Sequence, residues 1–196
     1  MRCRFYMNQL TVALVVCLLL CGQLWARADS GVTVEARREG DAVVVEARAR
    51  LNCDVQLAWD VLTAYDRYPE FIPDLKSSRV LTRSGSTAIV EQRGEAGFFL
   101  YHFPVEVIFD VTEVPGSTVS SRAVSGNFKE MTGHYSLSKD DGGLLFTYSG
   151  RLVPAFDLPW LVGMPAVKAA VQKQFAALVR EIRRRSRPQD SSNHGR

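Results

Sequence analysis

Proton transfer and metal binding fall to histidine, cysteine and the carboxylates, and their spacing in this chain favours neither. His102 and His134 are the histidines that precede the polar tail. Neither belongs to a His-x-His or His-x-x-x-His pair, so no metal is expected. Alternation sets His102 opposite Tyr101 and Phe103, and His134 opposite Met131, Gly133 and Tyr135, which makes both surface side chains. Cys3, Cys17 and Cys21 fall within residues 1–28, expected to be cut away as a leader, which leaves Cys53 without an intrachain disulfide partner. No neighbouring feature lowers its thiol pKa, and it reads as a small apolar filler beside the first helix. Glu106 falls outward with Ile108 and Asp110. Glu91 and Arg93 share a face. Facing in, they would anchor a ligand head; facing out, the better reading, they are a surface ion pair. Ser-x-x-Lys, Gly-x-Ser-x-Gly and glycine-rich phosphate loops are missing. No catalytic residue and no cofactor is assigned.

Rings are what the chain supplies instead. Trp59, Tyr65, Tyr68 and Phe71 crowd one short segment. Phe99, Tyr101 and Phe103 alternate along another, Met131 and Tyr135 share a face of a third, and Phe146 and Tyr148 share a face of a fourth. Val171 and Phe175 join them from the last helix. A buried tyrosine hydroxyl wants a partner, and several converging ones suit a ligand with one polar end. Two readings stand: the rings line a cavity for such a ligand, or they fill the space beneath the helix.

The elements that must position these rings are legible in order. Val32–Arg38 and Ala42–Ala49 flank Glu39-Gly40-Asp41 as a hairpin. Asn52 and Asp54 supply capping side chains for a helix over Asp54–Ala64, whose Val55, Ala58, Trp59 and Leu62 recur at three or four. Pro69 and Pro73 then limit Tyr65–Pro73 to one short turn and a loop. A meander follows: Arg79–Arg83, Thr87–Glu95, Phe98–Val114, Thr118–Ser125, Phe128–Ser138 and Leu144–Val153. Turns at Ser84-Gly85-Ser86, Gly97, Pro115-Gly116, Gly126-Asn127 and Asp140–Gly143 join them, so neighbouring strands are antiparallel. The last helix carries Val167, Val171, Phe175, Leu178 and Ile182 on one face and places Pro165 in its first turn. Such a stripe must lie on a sheet, and each side chain it buries contributes about 1.5–3 kcal/mol before entropy. Arg183, Arg184 and Arg185 suit the negative end of the helix dipole.

Residues 1–28 are expected to be an export signal. Arg2 and Arg4 precede the apolar run Leu10–Leu20, and Ala26-Arg27-Ala28 offers the small-x-small pattern cut by a signal peptidase. Retention of this stretch as an uncleaved anchor is the alternative. Cleavage after Ala28 leaves 168 residues, enough for one domain, with 21 basic and 21 acidic side chains. That balance gives no general attraction to nucleic acid. The expected folded body is 29–185, with a polar tail over 186–196. Trp160, Leu161 and Val162, just before the stripe, either dip into a membrane interface or form the helix's own first turn.

The segment Trp59-Asp60-Val61-Leu62-Thr63-Ala64-Tyr65-Asp66-Arg67-Tyr68-Pro69-Glu70-Phe71-Ile72-Pro73 resembles the W-x-x-L-T-D-Y-x-x-x-x-x-F-I-P stretch of the polyketide cyclase/dehydrase and coenzyme Q-binding families (START-like, SRPBCC). The likeness runs loosely through Gln92-Arg93-Gly94 to the last helix, about Val43 to Arg185. Ala64 departs from it, standing where many relatives carry aspartate. The resemblance implies an α+β helix-grip fold: a curved antiparallel sheet around a long C-terminal helix, with an apolar cavity between and an extra N-terminal strand at an edge. It also implies a hydrophobic or amphipathic ligand such as a lipid, isoprenoid quinone or polyketide. A binding protein is the favoured expectation. A cyclase/dehydrase-type enzyme and a protein-interaction module are the alternatives.

Overall fold

Turn chemistry dictates the sheet. Gly40, Gly85 and Gly116 each sit at positive φ in the tight turns that reverse the chain. The result is eight antiparallel strands: β1 (Val32–Glu39), β2 (Ala42–Leu51), β3 (Leu75–Ser84), β4 (Thr87–Phe98), β5 (Tyr101–Val114), β6 (Thr118–Gly126), β7 (Phe128–Asp140) and β8 (Gly143–Pro154). They form one sheet in the order β1-β2-β8-β7-β6-β5-β4-β3. The computed structural model describes residues 31–98, 101–155 and 160–187, with side chains for 31–95, 103–155 and 163–187.

Between β2 and β3 lie α1 (Val55–Leu62) and a 3-10 turn (Tyr65–Glu70). The Asp54 side chain caps α1 by accepting from the Gln56 N–H at 2.7 Å. The Thr63 hydroxyl donates back to the Trp59 carbonyl at 2.9 Å where the helix ends. The long helix α2 (Trp160–Ser186) closes the chain. It packs on β1 and β2 and also on β4, elements near opposite edges of the sheet. One helix can reach both edges only if the sheet curls around it. Register shifts in β3–β4, β5–β6 and β7–β8 supply bends for that curl. This is the curved-sheet, long-helix architecture expected, with β1 as the extra edge strand on β2.

Three details differ from the sequence reading. β3 begins at Leu75, four residues before the expected Arg79. Gly97 is no turn, because it pairs with His102 inside the β4–β5 ladder and Phe98 pairs with Tyr101. Pro165 is not in the first helical turn, because α2 begins five residues earlier at Trp160. The backbone of Trp160, Leu161 and Val162 is that first turn, and Pro165 stands inside the helix, removing one intrahelical donor.

The five-residue stripe of α2 divides in two. Phe175, Leu178 and Ile182 are fully buried, with Ala177 and Val179, while Val167 and Val171 are half-buried. The C-terminal half packs in the main core with Trp59, Val61, Leu62, Leu144 and Phe146. The N-terminal half roofs open space.

Candidate functional site

Beneath the N-terminal half of α2 lies a cavity of about 250 Å³. That is far above the ~10–15 Å³ one water needs. Its floor is the concave face of the sheet. The odd positions of β5 point in, so Phe103, Val105, Val107, Phe109 and Val111 line it, with Val90 and Gln92 from β4 and Val119 and Ser121 from β6. Phe128, Met131, Thr132, Gly133 and Tyr135 of β7 and Tyr148, Leu152 and Pro154 of β8 continue the wall. Ala166, Val167, Ala169, Ala170 and Val171 form the roof. The space exists because three of these five roof residues are alanines. Where α2 turns to Phe175 and Leu178, the gap closes.

Seven of the thirteen ring and stripe residues picked out by sequence line this cavity: Tyr65, Tyr68, Phe103, Met131, Tyr135, Tyr148 and Val171. Trp59, Phe71, Phe146 and Phe175 do not. Phe146 stacks on Phe175 with centroids 4.7 Å apart and on Tyr135 at 5.8 Å, making the solid end of the core. Trp59 is buried on α1, and Phe71 packs edge-on against Tyr68. Phe99 lies outside the described residues, as do the side chains of Tyr101, Trp160, Leu161 and Val162.

Four tyrosines gather where the cavity meets that solid core. The Tyr65 hydroxyl donates to Glu113 Oε1 at 2.8 Å, and the Tyr68 hydroxyl donates to the Leu62 carbonyl at 2.5 Å. Tyr135 and Tyr148 are direct cross-strand partners with ring centroids 4.6 Å apart. Neither of their hydroxyls has a hydrogen-bond partner among the described residues. The Gly133–Gly150 pair gives the Tyr148 ring its bed. A Cβ on Gly150 would strike the Tyr148 hydroxyl, and one on Gly133 would lie 3.1 Å from its Cε2. Burial pushes Tyr148 up to about 12. Burial, then the proximity of Tyr148, raises Tyr135 well above its ordinary value. Burial, then Glu113, raises Tyr65, and burial likewise raises Tyr68. All four are held as neutral phenols.

Beside the tyrosines the sequence reading overlooked a buried carboxylate, Glu113. It continues the inward odd series of β5 past Val111, so the alternation that placed Val107 and Phe109 inside also points to it. Arg83 Nη1 holds its carboxylate at 2.9 and 3.1 Å, and the guanidinium sits 5.7 Å from the Tyr65 ring centroid. Glu91 faces out and is bound by Arg79 at 2.7 Å and Arg93 at 3.0 Å. His134 is exposed, with Nδ1 at 2.9 Å from the Ser120 hydroxyl. The His102 side chain is outside those described. Burial, reinforced by Asp54, raises the Cys53 thiol pKa. The charged groups of the cavity wall, Asp74, Glu95 and Lys173, stand about half exposed at its rim. Asp74 pairs with Lys173 and Glu95 with Lys76. Among the described residues no cluster of three or more His, Cys, Asp or Glu could hold a metal. No described helix is long and apolar enough to cross a membrane.

Residues 51–185 match the family described as polyketide cyclase / dehydrase and lipid transport. The chain belongs to that family. Comparison with curated protein sequences gives no match. Among solved structures, a STAR-related lipid transfer protein from Xanthomonas axonopodis is similar at 19% identity, covering 81% of this chain and 97% of that one, with a TM-score of 0.64. The Zhui aromatase/cyclase from Streptomyces sp. R1128 aligns at 16% identity over 75% of this chain and 97% of that one, TM-score 0.63. Human STARD10 aligns at 14% identity over 82% and 71%, TM-score 0.61. At such identities the likeness establishes the fold alone. Ala64, the departure within the Trp-to-Pro segment, precedes the 3-10 turn and gives it no side-chain cap. Asp66 ties that turn down instead, its Oδ1 accepting the Val80 N–H at 2.8 Å.

Proposed function

We propose that this chain is an exported binding protein that carries or sequesters a hydrophobic or amphipathic small molecule in the cavity beneath α2. The observation that carries this reading is the split roof. The same helix packs solidly at Phe175–Ile182 and leaves about 250 Å³ open at Ala166–Val171. A mostly apolar wall with a small number of polar groups suits a lipid-, quinone- or polyketide-like body. Inside the rim the titratable wall groups are tyrosines that burial keeps protonated. Such groups fit holding a ligand better than moving protons near neutral pH. Membership of a family whose description joins cyclases with lipid transport agrees with either chemistry, and the wall tips the balance towards transport. Export rests on Arg2, Arg4, the apolar run Leu10–Leu20 and Ala26-Arg27-Ala28. Contact of Trp160, Leu161 and Val162 with a membrane surface during loading belongs to the same proposal.

Solvent extraction of the purified protein followed by mass spectrometry tests it. An apolar molecule should be recovered at near-stoichiometric amounts from the parent chain. It should be lost from Ala170→Phe, whose ring would occupy the cavity. Equal extracts from both proteins would rule the carrier reading out.

A further inference from the structure

We propose that the cross-strand pair Tyr135 and Tyr148 is the polar subsite of the cavity and takes a ketone carbonyl on an uncharged apolar ligand. This rests on the binding role proposed above and narrows it to a ligand class. Tyr135 and Tyr148 face each other across β7 and β8 on the concave side, so both side chains line the cavity. Tyr148 is nine-tenths buried. A phenol so placed takes a ligand or water oxygen as its partner, since no described protein group supplies one. The other two tyrosines of the cluster are committed, Tyr65 to Glu113 and Tyr68 to the Leu62 carbonyl. Two neighbouring donors that both need an acceptor are satisfied together by one oxygen with two lone pairs, which a carbonyl provides.

Charge decides against an anionic head. The guanidinium beside Tyr65, that of Arg83, is held by Glu113 through both carboxylate oxygens. Glu113 itself places negative charge behind Tyr65. A buried carboxylate or phosphate would meet neutral phenols and that acid, and burying an unpaired charge is costly. The rim cation Lys173 is half-exposed and paired with Asp74. The geometry therefore selects a neutral acceptor inside and leaves charged heads at the rim.

Three probes of nearly one shape separate the possibilities: 2-acetylnaphthalene, 2-ethylnaphthalene and 2-naphthoate, each titrated calorimetrically into the purified protein at neutral pH. The ketone should bind about fivefold to a hundredfold tighter than the hydrocarbon, the range that two net hydrogen bonds supply. The naphthoate should bind weakest. In the Tyr135→Phe/Tyr148→Phe double variant the ketone should lose its advantage while hydrocarbon binding persists. The infrared carbonyl band of bound 2-acetylnaphthalene should lie lower in the parent protein than in the double variant. Each single variant should lose part of the preference, which makes the result independent of how well the double variant folds. A ketone that binds no better than the hydrocarbon, a naphthoate that binds tightest, or a preference that survives in the double variant overturns the subsite and leaves the cavity's binding role intact. Failure of all three probes to bind the parent protein overturns the binding role and the subsite together.

Discussion

Glu113 accepts the Tyr65 hydroxyl and the Arg83 guanidinium at once, so its buried carboxylate is satisfied by the protein alone. That makes Tyr65 a strut of the cavity wall, whereas Tyr148 gives its hydroxyl to no described protein group. The two residues should answer differently to the same change. Tyr65→Phe removes a hydrogen bond to a charged acceptor and should lower unfolding stability by about 1.5–3 kcal/mol in urea. Tyr148→Phe removes a hydroxyl without a protein partner and should stay within about 0.5 kcal/mol of the parent. Equal losses would mean that Tyr148 is a strut as well. The sequence shows both tyrosines as members of an aromatic set but not this difference. Hydrogen bonding between Tyr65 and Glu113 spans 48 positions, and only the folded sheet brings β5 back to the turn after α1. The inward place of Glu113 was legible from the odd series of β5. Its partners were not.

Helix α2 is where pattern and packing diverge. The stripe from Val167 to Ile182 and its landing on a sheet follow from spacing alone, and the structure has both. How much space remains under Val167 and Val171 depends on how far the sheet curls, a property of bulges and strand pairing that no local pattern encodes. The size change from Ala166, Ala169 and Ala170 to Phe175 and Leu178 is nonetheless written in the chain and marks where roof becomes core. Leu178→Ala should cost about 2–5 kcal/mol, because it opens a void in close-packed surroundings. Val171→Ala should cost about 1 kcal/mol or less, since its outer side already borders open space. Comparable losses at both sites would place Val171 in a filled core. The C-terminal end of α2 carries a second, pH-dependent contribution. Arg184 and Arg185 hydrogen-bond Glu181 and hold its carboxyl down to about 2, against burial acting the other way. A depressed acid stabilises the fold above its unfolded value, near 4.5, and loses that contribution as pH falls towards 2. Melting temperatures of Glu181→Gln and the parent should therefore differ most at neutral pH and converge in acid. A gap that widens in acid would reverse the sign assigned here.

At the scale of the molecule, element order carried most of the information. Hairpin, helix, aromatic turn, meander and closing helix fix an antiparallel sheet because each turn is short, and a stripe of apolar residues fixes where the last helix must go. The edge strand β1 links this fold to the fate of the N-terminus. It begins at Val32, and Val32 and Val34 pack on the main core while α2 lies against the strand. Cleavage after Ala28 would thus stop short of the first residue the sheet needs. Under the proposed export, the mature protein should begin at Asp29 by mass spectrometry. Cutting further, to begin at Ala42, strips β1 from the β2 edge and exposes backbone donors along the whole of it. That shorter chain should melt lower and self-associate. Recovery of the protein with residues 1–28 still attached would replace the proposed cleaved form with one tethered by its leader. A chain from Ala42 that melts like the parent would show that β1 adds nothing to the sheet it borders.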